Sequence, residues 1–580
     1  MSASTRPRTL LALAAVAVAF AAADTYVVVL ALPEMMAAVG VPIDQLQKAA
    51  PIVSGFLLGY VAMLPLIGRI ADLRGRVPVL VAALVVFAAG SLVTALAYDM
   101  PTMVAGRFLQ GVGGGGLVPA TLALVADLYP VERRGVPLGV VSAVQEIGSV
   151  LGPLFGAVVL SVADWRFIFV VNLVVGLVLA VALRRLAGDR SPPPGRFDWP
   201  GAVLLLVTLV AGALVFVRPP PLLRDLTWGA AFVPFAGDGR WLTPVGAVAI
   251  VAGALFLART LTAGRPLVDL RGWAAIARDA DLTGALLLAA ALSGVILAFA
   301  TADPRIEVFS DRGLWYLLGA AVAAVAFAFH LRRAEAPIIP TGALSRTPAW
   351  GSLAVSFFVG AALIAALIDI PIFARTTVYP DSQLMAALVL VRFLVALPVG
   401  AVLGGYLTHR LPAGVVTAIG MACAAVGFVW MSTWHLETLE QGSATLPLVI
   451  CGFGFGLALA PVNAAVLAAT DHEVHGLATA TVVVARMVGM LIGISALTTV
   501  GLRRYYAEQS DMPVVQDVCD GKSRCKEFTL LLKEAGIAQE HTVFLGAAVC
   551  AVIAGVLALV LFRTAATRAL DTGTLLRAGG

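Results

Sequence analysis

Six charged side chains sit inside stretches otherwise built from Ala, Val, Leu and Gly: Asp24, Arg107, Glu146, Asp369, Arg392 and Arg486. An ionisable group at membrane depth costs roughly 2.5 to 3.5 kcal/mol on insertion scales, so it is kept where it faces a cavity, a partner or a proton path. The residue types suit a proton switch. A carboxylate shielded from water holds a proton and a neighbouring guanidinium makes it let go, so a moving helix can load and release one. Arginine does not deprotonate, which makes Arg486 the fixed charge and Asp24 or Glu146 the titrating partner. Asp369 and Arg392 either take part in the switch or form a static pair, and a structural ion pair is the rival role for Arg107.

The elements that must position these groups follow from composition. The chain has 580 residues, 60% of them hydrophobic and 13% charged, with a mean hydropathy of +0.97; ordinary globular domains carry about 25% charged residues. Apolar runs of roughly 20 residues, the length that crosses a hydrocarbon core of about 30 Å, recur along the whole chain. They predict an all-α polytopic membrane protein with about sixteen transmembrane helices. The first run continues past Asp24 through "TYVVVLALP", so it reads as a span rather than a cleaved leader. The net charge of +5 comes without any dense Lys/Arg run, which excludes nucleic acid as a partner.

Basic residues fall in alternate loops, at Arg74 and Arg76, Arg133 and Arg134, Arg196, Arg259 and Arg332. That alternation predicts a cytoplasmic N-terminus and, with an even helix count, a cytoplasmic C-terminus. The expected organisation is a six-helix half over 1–190, a linker with four added helices over 191–346, and a second six-helix half over 347–580 with an outer loop at 502–541, whose last part, "FTLLLKEAGIAQEHTVF", has the helical period of an extension of the last helix above the membrane. Within the linker, "DWPGAVLLL" from Asp198 and "DLTGALLLA" from Asp281 share an Asp, a Gly-Ala pair and a leucine run at the same offsets, which reads as a duplicated hairpin. Six-helix repeats of this kind place a substrate site between the halves, near the bilayer midplane.

The loop "GRIADLRGRVPVL", with Gly68, Asp72, Gly75 and Arg76, resembles the signature of the major facilitator superfamily. The resemblance implies that superfamily's fold, and a loop whose opposite charges latch the inner gate. "RFLQGVGGGG" around Arg107 resembles the fourth-helix motif of proton-linked members. "SAVQEIGSVLGPLFG", carrying Gly148, Gly152, Pro153 and Gly156, is similar to the fifth-helix motif of antiporters. Its glycines at every fourth position let another backbone approach, and Pro153 permits a bend; tight packing and a hinge are both open readings. On that helix Glu146 lies roughly opposite the glycine stripe.

"ADTYVVVLALP" places the resemblance in the drug:proton antiporter branch. "GLATATVVVARMVGMLIGISAL" and "FLVALPVGAVLGGY" are similar to actinobacterial exporters of triacylglycerides and drugs that work with a periplasmic lipid-binding lipoprotein. These likenesses imply a proton-coupled exporter of lipids or drugs in the cytoplasmic membrane. It would act as a monomer among membrane lipids, with a lipoprotein partner and the proton gradient in place of any cofactor. A small-solute porter and a non-transporting scaffold or sensor are the alternatives. No phosphate-binding loop, zinc-protease or nucleophile-elbow motif occurs, so neither an enzyme nor an ATP-driven pump is expected. Cys519 and Cys525, in "VCDGKSRCK" of the outer loop, suit a disulfide; no ligand cluster accompanies them to suggest a metal.

Overall fold

The computed structural model describes residues 5–41, 50–129, 135–187, 198–225, 227–236, 239–264, 266–300, 312–334, 337–340, 342–380, 382–471, 474–520, 525–565 and 567. Among them no strand occurs, and fourteen helices are long and apolar enough to cross a membrane. Two more, α1 (Thr5–Ala38) and α5 (Gly135–Val162), have the length, so the chain carries about sixteen, as expected.

The first group continues with α2 (Ala50–Arg74), α3 (Arg76–Ala95), α4 (Met100–Leu128) and α6 (Arg166–Ala187). Helix α4 begins sharply because Asp99 accepts the Thr102 N–H at 2.9 Å while the Thr102 hydroxyl oxygen receives the Asp99 N–H, satisfying two donors that a helix start leaves bare. Its glycine run then permits an unusually close crossing. A Cβ on Gly111 would stand 2.0 Å from the Phe56 carbonyl oxygen of α2, and one on Gly113 would stand 2.3 Å from the Phe87 nitrogen of α3. With no apolar driving force between helices in lipid, such contacts are what hold them together.

The last group comprises α13 (Thr347–Thr376), α14 (Gln383–Leu407), α15 (Ala413–Met431), α16 (Thr445–Ala469), α17 (His475–Ser510), the short α18 (Val515–Val518) and α19 (Lys526–Leu561). Its packing repeats that of the first. Helix α1 lies on α5, α2 and α3 on α4, and α3 on α6; correspondingly α13 lies on α17, α14 and α15 on α16, and α15 on α19. The two groups meet along α5 with α14 and along α2 with α17.

The outer segment over 502–541 is largely helical: α17 runs on to Ser510, where a loop is expected, and α19 starts at Lys526, in line with the helical period of "FTLLLKEAGIAQEHTVF". Helices α17 and α19 are each 36 residues long, about 54 Å at 1.5 Å per residue, so they extend well past a 30 Å core. Cys519 and Cys525 form a disulfide between them, as their setting suggests.

Between the groups lie two hairpins, α7 (Trp199–Val217) with α9 (Pro244–Thr262) and α11 (Leu282–Ala300) with α12 (Gly313–Leu331); the short helices α8 (Pro220–Arg224) and α10 (Leu270–Asp279) belong to the connections. Each hairpin is closed by one aspartate that makes three contacts. Asp198 accepts the Gly201 N–H that starts α7, the Arg259 Nε from the end of α9 at 2.7 Å, and the Leu267 N–H beyond it. Asp281 accepts the Gly284 N–H, contacts His330 Nε2 at 2.7 Å and accepts the Ile338 N–H. The second hairpin packs through α11 on α2 and α17. The first reaches the bundle at its rim, where Arg240 lies over the Tyr98 ring at 3.9 Å and Phe216 meets Tyr98 edge-on.

Candidate functional site

Asp24 is the centre of a buried polar cluster inside the first helix group. It sits in the middle of α1 and faces Arg107 of α4, with Arg107 Nη1 donating to Asp24 Oδ2 at 2.7 Å; the two side chains are 0% and 1% exposed. Gln110, one turn along α4, donates to Asp24 Oδ1 at 3.3 Å and accepts from Arg107 at 2.8 Å. Asn172 of α6 donates to the same Asp24 oxygen, and Ser91 of α3 receives a second N–H of Gln110 at 2.9 Å. Arg107 also stacks on the Phe56 ring at 4.5 Å, a cation–π contact that covers its face.

Four helices therefore converge on one carboxylate, and the others each supply a donor or extend the network. A buried charge of this kind is tolerable only when it is paired and hydrogen-bonded, which it is. The sequence alone points to Arg486 as the counter-charge of Asp24 or Glu146. The structure gives Asp24 to Arg107 instead, because α1 and α4 are neighbours within one group while Arg486 belongs to α17 of the other. The Glu146 side chain lies outside the described residues, as does that of Pro153.

Arg486 is half-buried and lines a crevice with Ser356, Val359, Leu459, Asn463 and Val483. The walls of this crevice are mostly aliphatic, so it combines a fixed cation with apolar surface.

Asp369 and Arg392 are likewise not a pair. Arg392 Nη1 reaches Thr445 Oγ1 at 3.3 Å at the start of α16, whereas Asp369 turns to Glu540 of α19. Consecutive helices need not touch face to face: α13 packs mainly on α17 and α19. Sequence reasoning reads the segment around Glu540 as a helical extension but misses Glu540 as a buried acid, because the polar residues of that segment place it outside the membrane. A signal for it exists in the helical period, since Ile537, Glu540, Val543, Phe544 and Ala547 form one buried stripe of α19.

The gate motif joins the two groups. Asp72, almost fully buried, is bound by Arg76 and accepts the N–H groups of Gly476 and Leu477 at 3.1 and 3.2 Å. A carboxylate thereby caps the N-terminus of α17 from across the seam, where the helix dipole favours negative charge. Arg76 also reaches Asp127 at 3.4 Å. Gly68 and Gly476 lie backbone to backbone, each carbonyl 2.7 Å from where the other's Cβ would be. Gly75 has φ +95°, a left-handed turn that admits glycine readily.

In the fifth-helix motif, Gly148 and Gly152 face α1. Added Cβ atoms would lie 2.1 and 2.5 Å from the carbonyl oxygens of Ala19 and Ala23, in the turn that leads up to Asp24. Gly156 is buried and α5 is continuous through the motif. The glycine stripe thus acts as a packing face against the helix that carries the buried carboxylate. Among the described residues no group of His, Cys, Asp and Glu is arranged to hold a metal.

Comparison with known proteins agrees with this architecture. The family model of the Major Facilitator Superfamily matches residues 14–333 and 328–494. A triacylglyceride transporter of Mycolicibacterium smegmatis is 34% identical over 562 residues, covering 94% of this chain and 86% of its own. One from Mycolicibacterium hassiacum is 35% identical over 84% of this chain and 78% of its own, and one from Mycobacterium tuberculosis is 34% identical over 84% and 82%. Among solved structures, the human organic anion transporter MFSD10 superposes with a TM-score of 0.52 at 13% identity over 95% of this chain and 99% of that one. A bacterial homolog of the human lysosomal transporter Spinster gives 0.51 at 13%, over 97% and 98%. At those identities the likeness concerns the fold.

Proposed function

The chain belongs to the major facilitator superfamily, and on that footing we propose that it is a proton-coupled exporter of amphipathic or hydrophobic substrates, foremost lipids of the triacylglyceride class. The observation that carries the coupling is the Asp24 carboxylate enclosed by Arg107, Gln110 and Asn172. Protonating Asp24 cancels the ion pair and leaves Arg107, which cannot lose its own proton, as an uncompensated cation in a closed site. The helices around it then have a reason to rearrange, and deprotonation restores the cluster. Because α1 packs on α5 through Gly148 and Gly152, and α5 meets α14 across the seam, a shift at Asp24 reaches the interface between the groups.

The Asp72 cap on α17 holds the seam shut at that end, so in this reading access lies at the other. The substrate class is supported by the relatives, which are named as triacylglyceride transporters. In this reading the protein is not an enzyme. It works as a monomer in the cytoplasmic membrane with both termini in the cytoplasm, uses the proton gradient without a cofactor, and passes lipid to a periplasmic lipid-binding lipoprotein.

Proteoliposomes carrying a fluorescent triacylglyceride test this. Flux that follows an imposed pH gradient and is lost in Asp24→Asn is the expected result. Equal flux without a gradient and in Asp24→Asn would overturn the coupling. Flux of small polar solutes alone would make the chain a small-solute porter, and absence of all flux with lipoprotein binding retained would make it a scaffold or sensor.

A further inference from the structure

Asp369 of α13 and Glu540 of α19 meet where the two helices pack, 4% and 1% exposed, close enough for one carboxyl group to donate to the other. Two carboxylates have no hydrogen to share, so such a bond needs a proton on one of them. A second observation points the same way. Glu540 Oε2 is fully buried and meets no donor of another residue, while Oε1 takes the Gln539 side-chain N–H at 3.3 Å. A buried acceptor left bare is costly, and more so when it carries charge.

No cation supplies an alternative. On α13 the remaining charged residue is Arg375, and on α14 it is Arg392, which binds Thr445. Helices α15 and α16 carry no acidic or basic residue. On α17, Arg486 lines the crevice described above, Arg504 pairs with Glu508, and Arg503 and His475 complete its charged or titratable side chains apart from the tyrosines. On α19 itself, Lys533 donates to the Thr377 carbonyl at 3.1 Å and His541 Nε2 contacts the Trp434 carbonyl at 2.6 Å; Lys526, Glu527 and Glu534 lie nearer its start. His435, in the connection after α15, lies beside the His541 ring at 6.5 Å. Among the described residues, neither carboxyl is in an ion pair.

We propose that Asp369 and Glu540 are a second proton-binding site, distinct from Asp24, at which one proton is held between α13 and α19. The proton belongs to the pair rather than to either residue. Its departure puts two negative charges into a seam that is otherwise apolar and aromatic, with Phe373, Phe544 and Trp434 packed together in it, and the two helices separate. The site exists whether or not the chain exports lipid; only its use in transport rests on the proton-coupled reading above.

Infrared spectroscopy of the full chain in nanodiscs reads it directly. At neutral pH the wild type shows a protonated-carboxyl C=O band. Asp369→Asn and Glu540→Gln each lose that band, because an amide donates to the remaining carboxylate and no proton is needed, and Asp24→Asn keeps it. Raising the pH removes the band and increases amide exchange in α13 and α19, corrected for the intrinsic pH dependence, at least severalfold. Glu540→Gln shows no such increase. Absence of the band in the wild type, or its survival in both dyad variants, would overturn the proposal. A wild type that shows this band but no gradient-driven, Asp24-dependent flux would count against the exporter reading alone.

Discussion

Asp24 and Arg107 are joined at 2.7 Å across α1 and α4 with essentially no solvent on either side chain. Removing one member of a buried pair is far more damaging than removing both, since the survivor is left charged and unpaired, at about 3–5 kcal/mol. Asp24→Asn should therefore unfold at clearly lower temperature than wild type, and Asp24→Asn/Arg107→Gln should recover much of that loss. Neither should transport. Thermal unfolding in detergent, together with proteoliposome flux, checks both halves, and recovery of flux in the double variant would contradict the coupling role.

The seam at Gly68 and Gly476 has no room for a side chain, with 2.7 Å to a carbonyl on either side. Gly68→Val should prevent the close approach of α2 and α17 and loosen the Asp72 cap. A cysteine introduced at Ala480, whose Cβ lies 3.1 Å from where a Cβ on Gly68 would stand, should then react with a membrane-impermeant thiol reagent several times faster than when Gly68 is kept. Unchanged reactivity would show that this contact does not close the seam.

The hairpin clasps carry a pH dependence with a definite sign. Desolvation opposes ionisation of Asp281, but the Gly284 and Ile338 N–H groups and His330 outweigh it and hold the carboxyl below its ordinary range. Asp198 is lowered in the same way, against desolvation, by Arg259 and the Gly201 and Leu267 N–H groups. A carboxyl lowered by folding stabilises the folded form above its unfolded value of about 4, and that stabilisation disappears as pH falls through the lower folded value. Both clasps should thus hold at neutral pH and release only in acid below the usual carboxylate range. Hydrogen exchange at the Leu267 and Ile338 amides across an acid series measures it, and release nearer neutrality would refute the assignment.

Reduction of the Cys519–Cys525 bridge should act locally. The loop it closes spans a sequence separation of 6, for which chain entropy gives about 2 kcal/mol. Cys519→Ser with Cys525→Ser should raise amide exchange in the connection between α17 and α19 while leaving the α13–α17 contact protected. A global loss of protection would mean that the bridge holds more than its own turn.

Much of the architecture is legible in the sequence because hydropathy over roughly 20 residues records membrane crossing directly. Helices α7 and α12, 19 residues each and free of Asp, Glu, Lys and Arg, are such runs from end to end. The gate is legible for a different reason: Gly75 answers a local requirement of the turn, while Gly68 and Asp72, which meet α17 across the seam, are readable because their types and spacing resemble a known signature. Partner choice is not. Asp24 with Arg107, and Asp369 with Glu540, depend on which helices adjoin in the bundle, and an apolar pattern around each charge looks alike whichever neighbour it meets. Glu540 is hidden for a different reason. The polar face of α19 outside the membrane masks the start of its buried stripe, so the apolar run becomes visible only beyond it.

The self-contained clasp of each hairpin has an evolutionary reading. Asp198 with Arg259, and Asp281 with His330, close their units without drawing on any residue of the two helix groups. A unit that supplies its own closure can be copied within a gene, or dropped from it, without unpicking the contacts that its neighbours need. An even number of crossings leaves the orientation of everything downstream untouched. The copy seated on α2 and α17 is bound by those neighbours, whereas the copy that meets the bundle at its rim is the one with licence to diverge, and it is there that lineages of this transporter are expected to differ most.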